Sequence, residues 1–271
     1  MTHLSIVIVS YNTRVDLERC LESLRQHPPS VPHDVVVVDN ASSDGSAEMA
    51  ERFTGVRVIR HDRNAGFSVA NNIGIRSSQG ELVLLLNSDT IAPPGAIDRL
   101  ITRLQRSPEV AVIGPRLVNG SGQAELSFGP MISPFTEWRQ GGLVKGLAEN
   151  DREVVTRVEA MTRREQRADW VSGACLLMRR ADADAVGLLD ERFFMYTEDV
   201  DFCAAIRARG RQVLFAPDTE VIHLRGRSAA TASAATRQAY ERSHLAFYRK
   251  HHPLWVPVLL AFRLLKRLLG A

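Results

Sequence analysis

Cysteine is scarce and scattered. Cys20, Cys175 and Cys203 are the only three in 271 residues, and none sits in a CxxC pair. Such a set excludes a disulfide framework and a zinc knuckle and suits small buried thiols. Aromatic residues make up only 6% of the chain. They do not interleave with basic residues as in a base-reading module, so no nucleic-acid partner is expected. The longest late apolar run, residues 254–262, is too short to span a membrane and contains Pro257. Met1-Thr2-His3-Leu4 lacks the basic and apolar regions of a secretory signal, so a reducing, cytoplasmic location is expected. GxGxxG, HExxH and GxSxG are missing, and Gly141-Gly142-Leu143-Val144-Lys145-Gly146 has neither the glycine spacing nor the Ser/Thr of a Walker A loop. Any nucleotide must be held by another device.

What is present describes a folded chain. Hydrophobic residues account for 45% and charged residues for 24%, enough for one large α/β domain or two small ones with a sizeable core. Charge is unevenly spread. Residues 225–271 hold nine Lys/Arg against one Glu, a net of +8, which leaves residues 1–224 at −5 within an overall +3. The basic character belongs to a tail.

Hydrophobic patterning predicts a regular alternation. Residues 4–9 form a β-branched apolar run, as do 35–38, the pattern of strands buried on both faces, and 56–59, 82–86 and 110–113 read as further strands. Between them, helices are predicted over residues 14–26, from Ser42-Ser43-Asp44-Gly45 through Phe53, over 68–77 and from Pro93 to Arg106. This order implies right-handed βαβ units and a mostly parallel, doubly wound sheet with helices on both faces. Ligands of such sheets bind outside the carboxyl ends of the strands, where Ser10-Tyr11-Asn12, Asp39-Asn40 and Asn87-Ser88-Asp89 fall. Residues 115–169 show little periodicity and are expected to be irregular, with 162–167 a solvated surface. Beyond them, 170–178 reads as a strand, 200–209 as a helix stopped by Gly210, and 213–215 and 220–223 as two closing strands.

The chemistry of these positions leaves alternatives open. Asp89 could cap the next helix, or supply a hard oxygen to Mg2+ or Mn2+ beside a diphosphate. Glu198, Asp199 and Asp201 open a helix whose dipole favours acids; that accounts for Asp201 but not for Glu198 and Asp199, one of which could be a general base with a raised pKa. His223, at a strand end, reads alone as structural, and His33, His61, His244, His251 and His252 read as surface residues.

Six motifs then stand in order: Ile8-Val9-Ser10-Tyr11-Asn12; Val37-Val38-Asp39-Asn40-Ala41-Ser42-Ser43-Asp44-Gly45; Asn64-Ala65-Gly66-Phe67 with Ala70-Asn71-Asn72; Leu86-Asn87-Ser88-Asp89; Ser172-Gly173-Ala174-Cys175-Leu176; and Leu189-Asp190-Glu191-Arg192-Phe193-Phe194-Met195-Tyr196-Thr197-Glu198-Asp199-Val200-Asp201. On these the chain resembles the inverting family 2 glycosyltransferases of GT-A fold, and most of all the bacterial rhamnosyltransferase-like branch, over residues 4–228. The resemblance implies a GT-A domain over 1–228, with a nucleotide-binding half (1–114) and an acceptor-binding half (115–228), followed by a basic amphipathic tail (229–271). It implies that Ser10, Tyr11 and Asn12 lie by the nucleoside and that Asp39 accepts the base's ring N–H, which suits a dTDP- or UDP-sugar. Asn64, Gly66 and Asn71 would line the diphosphate and sugar, with Asn87 and Ser88 beside them. Asn87 stands where the family's metal-binding motif usually starts with Asp. Asp89 and His223 would hold Mg2+ or Mn2+, and Asp199, with Glu198 as neighbour and second choice, would be the catalytic base. The implied reaction is inverting transfer of a sugar, rhamnose favoured, to a saccharide or lipid-linked acceptor in cell-surface polysaccharide or glycolipid synthesis.

Two further expectations concern the tail and the rival readings. Val258, Leu259, Phe262, Leu265 and Leu269 fall on one helical side and Arg263, Lys266 and Arg267 mostly on the other, a pattern that fits either a domain-packing helix or peripheral docking on an anionic membrane surface at its cytoplasmic face. A glycoside hydrolase would also use paired carboxylates but has no use for Asp39 or the 87–89 triplet. A non-catalytic nucleotide-sugar-binding protein would bind donor without turnover.

Overall fold

Alternate residues of the first strand point to two different layers of helices, and the architecture follows from that. The computed structural model describes residues 2–224 and 234–268, the side chains of 234–236 and 266–268 excepted. In chain order the first half comprises β1 (Leu4–Ser10), α1 (Arg14–Gln26), β2 (His33–Asp39), α2 (Ser46–Ala50), β3 (Val56–Arg60), α3 (Phe67–Arg76), β4 (Leu82–Asn87), β5 (Thr90–Ile91), α4 (Ala96–Gln105) and β6 (Val110–Val118). The second half comprises β7 (Phe128–Gly129), α5 (Pro134–Ala148), α6 (Arg152–Met161), β8 (Gln166–Ala168), β9 (Trp170–Val171), β10 (Cys175–Arg179), α7 (Arg180–Val186), α8 (Glu198–Ala208), β11 (Gln212–His223), α9 (Ala234–His251) and α10 (Val256–Leu268).

The central sheet has the order β3-β2-β1-β4-β10-β6-β11-β5, with β8 beside β11. Strands β1, β2, β3, β4, β6 and β11 run in one direction, while β5, β8 and β10 run against them. Leu4, Ile6 and Ile8 of β1 meet Leu17, Leu21, Ile97 and Leu100 of α1 and α4 on one face. Val7, Leu85, Met178 and Phe215 meet Ile75, Phe202 and Ile206 of α3 and α8 on the other. Both faces are covered, so the strands are continuous apolar runs. Each fully buried Leu, Ile or Phe contributes about 1.5–3 kcal/mol, which anchors the strand ends that carry the polar residues. This is the expected mixed α/β, mostly parallel arrangement of GT-A type.

Several expectations need correction. Residues 115–169 are not irregular: α5 opens on a capping box between Ser133 and Thr136 with Pro134 in its first turn, and α6 opens on Asp151. The periodicity signal fails because Phe135, Trp138 and Val144 of α5 are exposed. The stretch 162–167 is largely the solvated surface expected, with Arg163, Arg164, Glu165 and Arg167 exposed; the exceptions are Thr162, which is fully buried, and Gln166, which begins β8 on the edge of β11. The run 170–178 breaks at Ser172-Gly173-Ala174 into two strands in different sheets. The two expected closing strands are one, β11, whose register against β6 shifts between Ala216 and Glu220. The helix after Gly45 stops at Ala50 rather than Phe53. His244 is buried, not a surface residue: it pairs with Glu137 at 2.6 Å, and Arg263 donates to its other ring nitrogen.

Candidate active site

The carboxyl ends of β1, β2 and β4 carry the polar residues, and side chains tie these ends into one rim. The Asn40 N–H donates to Ser10 O at 2.8 Å. Asn40 Nδ2 donates to Asn64 Oδ1 at 2.9 Å, and Asn40 Oδ1 accepts the Ala65 N–H at 3.0 Å, so the end of β2 fixes the loop that opens α3. That loop then touches the segment before α8: the Phe67 N–H donates to Phe194 O at 2.6 Å. Gly66, with φ of +92°, lies so close that a Cβ would stand 2.5 Å from Phe194 O, a contact only glycine allows. Asn72 clamps the same segment by donating to Leu189 O and accepting the Leu189 N–H. On the far side, Asn87 N–H donates to Ala174 O at 2.9 Å and Gly173 N–H donates to Asp199 Oδ2 at 2.9 Å. Asp199 and Asn87 therefore each bond to the 172–174 turn, at adjacent residues.

Ser10 is buried, with its hydroxyl 3.0 Å from that of Thr13, whereas Tyr11 is about half exposed at 47%. Asn12, at φ of +54°, accepts from Ser43 N–H and receives no burial, so its side chain fastens the two loops together. Asp39 is buried. Its Oδ2 accepts the Ser42 N–H at 3.0 Å, and its Oδ1 has no hydrogen-bond partner. A buried carboxylate oxygen left open in this way fits an N–H donor brought by a ligand. Asn71 is also buried and donates to Phe67 O within α3.

The antiparallel pairing of β5 with the end of β11 sets His223 opposite Thr90, next to Asp89. Asp89 Oδ1 lies 3.2 Å from His223 Nε2, and Glu125 Oε2 lies 3.1 Å from His223 Nδ1. Burial pulls the imidazole toward the neutral form, but the hydrogen bonds it donates to Asp89 and Glu125 overcome it, and the His223 pKa is pushed up to about 9. Among the described residues no set of three or more His, Cys, Asp or Glu forms a metal cage. Two protein ligands are nevertheless the complement that suits a cation whose other positions go to water and diphosphate oxygens. The buried Asn87 Oδ1 has no hydrogen-bond partner. The donor set fits Mg2+ or Mn2+. Sequence reasoning missed Glu125; it sits singly after a Gly/Ser turn, and nothing in that stretch signals it.

Glu198 and Asp199 open α8 after two residues in the left-handed region, Tyr196 (φ +72°) and Thr197 (φ +63°). For an aromatic and a β-branched side chain this costs about 1–3 kcal/mol each, and the surroundings must hold it. Phe193 and Val200 pack with Phe247 and Tyr248 of α9. Lys250 binds Asp190 and Asp201 at 2.8 Å each, and His251 binds Asp201 at 2.6 Å. Asp199 is half-buried, with Gly173 N–H on Oδ2 and Val200 N–H on Oδ1. Glu198 is buried, and burial followed by the neighbouring Asp199 raises its pKa well above the usual carboxylate range. An acid raised in the folded state contributes stability that is fully present below its unfolded pKa and is lost as pH climbs through the folded value. Glu198→Gln should therefore flatten the alkaline limb of the stability profile and stabilise the fold at pH 8 relative to pH 5. Denaturant melts at pH 5 and pH 8 measure it; an unchanged difference between the two would refute the assignment.

The strand order and this rim define a GT-A glycosyltransferase, and comparison with known proteins identifies the family. The profile described as "Glycosyl transferase family 2" matches residues 5–187, so the chain belongs to glycosyltransferase family 2 and is an enzyme of that class. It is 31% identical over 265 residues to an N-acetylglucosaminyl-diphospho-decaprenol L-rhamnosyltransferase of Mycobacterium tuberculosis, covering 93% of this chain and 86% of that one. Its fold is similar to that of a mannosyltransferase of Pyrobaculum calidifontis solved with GDP-Man and Mn2+, with a TM-score of 0.64, 18% identity, and 95% of this chain and 68% of the other covered. It is also similar to Staphylococcus aureus TarS 1-349 in complex with UDP-GlcNAc, with a TM-score of 0.59, 18% identity, and coverage of 89% and 64%. Membership of this enzyme family sets aside the hydrolase and binding-protein readings.

Proposed function

We propose that this enzyme transfers L-rhamnose, with inversion, from a dTDP- or UDP-linked donor to the sugar of a lipid-linked N-acetylglucosaminyl diphosphate. The likeness to the mycobacterial enzyme over 93% of the chain carries the choice of sugar and acceptor. The open Asp39 Oδ1 supports a donor whose base offers a ring N–H. In this reading residues 1–114 hold the nucleotide and residues 115–228 the acceptor. Ser10, Tyr11 and Asn12 flank the nucleoside, and Asn64, Gly66, Asn71, Asn87 and Ser88 border the diphosphate and sugar. Asp199 takes the proton of the acceptor hydroxyl as that oxygen bonds to the anomeric carbon, and the electron pair of the breaking C–O bond leaves on the diphosphate. No covalent sugar–enzyme intermediate forms. Asp89 and His223 would hold a divalent cation, which when bound would supply Lewis-acid neutralisation of the departing charge. Thermal-shift measurements with Mn2+ should show dTDP-rhamnose raising the melting temperature above other nucleotide sugars, because a ligand specific for the native state stabilises it by mass action. Equal shifts for all donors, with no transfer to a polyprenyl-diphospho-N-acetylglucosamine acceptor, would overturn the sugar and acceptor assignment.

We propose further that the C-terminal helix docks the enzyme on a membrane surface, at its cytoplasmic face. Among the described residues no helix is long and apolar enough to cross one. Val256 and Leu259 pack toward the Phe247–Tyr248 cluster. Leu254 is 90% exposed, and Trp255, Val258, Phe262 and Leu265 are each about half exposed. Arg263 turns inward to Glu241 O and His244; Lys266, Arg267 and Leu269 lie outside the described side chains. An apolar ridge of this kind suits insertion into the headgroup boundary. L254S/V258S/F262S should reduce co-sedimentation with anionic phospholipid vesicles about tenfold, and an unchanged bound fraction would argue that the ridge does not dock there.

A further inference from the structure

His223 is gripped at both ring nitrogens, and only one of the two partners belongs to a motif. Glu125 reaches Nδ1 from a tight turn closed by the Val118–Ala124 bridge, and its own N–H donates to Leu117 O at 2.9 Å. The Glu125 and His223 side chains are 8% and 6% exposed, so this contact is held from the backbone outward and shielded from water. Without a partner on one nitrogen, an imidazole can rotate and present either nitrogen to a ligand. A carboxylate fixed on Nδ1 removes that freedom and makes the opposite nitrogen the donor. Glu125 cannot itself be a ligand alongside the pair, because it sits on the nitrogen facing away from Asp89.

We propose that Glu125 is a positioning residue: it accepts the Nδ1–H of His223 and thereby aims Nε2, alongside the Asp89 carboxylate, at the divalent cation of the nucleotide-sugar complex. The inference rests on the metal-dependent reading above and adds a residue to it. It makes the β6–β7 turn, whose Ser127 O also accepts the Ser172 N–H at 2.8 Å, part of the cation site. The effect is orientational, so it depends on where an oxygen sits rather than on its charge.

The test uses the full chain and titrates Mn2+ by electron paramagnetic resonance in the presence of saturating UDP. Glu125→Ala should weaken Mn2+ binding about 10–100-fold, the range for loss of a carboxylate behind a metal-bound histidine. Glu125→Gln keeps an acceptor oxygen at the same reach and should stay within about threefold of wild type. Glu125→Asp keeps the charge but draws it back by one methylene, and should fall with alanine; it also decides the matter if the alanine variant does not fold. UDP affinity without metal should move in none of them, whereas a merely structural role would change folding stability and leave Mn2+ affinity alone. Wild-type Mn2+ affinity in the alanine and aspartate variants, or a glutamine variant as weak as alanine, overturns the inference. Asp89→Asn separates the two levels: if it binds Mn2+ as wild type does, the metal reading fails and the inference with it. If it weakens Mn2+ while the Glu125 variants do not, only the inference fails.

Discussion

Asp199→Asn should slow sugar transfer by about 10²–10⁴-fold, the usual worth of a positioned general base, and leave nucleotide affinity near wild type. The substitution keeps the shape of the side chain but removes its capacity to take a proton at neutral pH. Its structural cost is small. One of the two backbone donors, Gly173 N–H or Val200 N–H, keeps an oxygen acceptor, and the other faces an amide nitrogen, a loss of about 1 kcal/mol. That cost falls on stability and is read separately from a thermal melt. Steady-state transfer gives the catalytic loss, and calorimetric titration with UDP gives nucleotide affinity. The Glu198→Gln variant is the natural control, because Glu198 is the adjacent carboxyl and is buried. If Glu198→Gln carries the large loss and Asp199→Asn turns over within fivefold of wild type, the roles are reversed.

The reach of the sequence reading follows the physics of each element. Strands β1, β2 and β4 are legible because burial on both faces demands unbroken apolar runs, and the polar residue that ends each run is visible by contrast. The position of Asp39 and of the 87–89 triplet on one rim followed from that alone. Strand β10 was half-visible: its apolar character showed, but its antiparallel insertion between β4 and β6 depends on long-range pairing that no local pattern encodes. Helix α5 leaves no periodic signal because it exposes Phe135 and Trp138 instead of burying a stripe. His223 read as structural until the family resemblance singled it out, since its meaning lies in the β5–β11 pairing that brings it to Asp89. Glu125 had no signal at all. Its role depends on a contact across 98 residues, and a single acid after a Gly/Ser turn is ordinary surface chemistry.

Asp89→Asn and removal of divalent cations by chelation should each lower kcat/KM about 10³-fold, and the two together should do little more. A Lewis acid at a departing diphosphate contributes several kcal/mol to transition-state stabilisation, and about 4 kcal/mol corresponds to three decades at 1.36 kcal/mol each. The asparagine variant preserves the main-chain frame, because Asp89 O still accepts the Leu224 N–H and Thr90 still pairs with His223. It leaves Glu125 beside the imidazole, so His223 is not stranded as a buried charge without a counter-ion. What it removes is the anionic oxygen that competes with water for a hard cation. If Asp89 acts through the cation, the variant and the chelated enzyme have lost the same unit, and losses within one unit do not add. Full additivity, near 10⁶-fold, would mean that Asp89 serves the reaction by a separate route. An enzyme indifferent to chelation but crippled by Asp89→Asn would assign the leaving-group charge to the Asp89–His223–Glu125 chain itself, with the imidazolium as the positive partner.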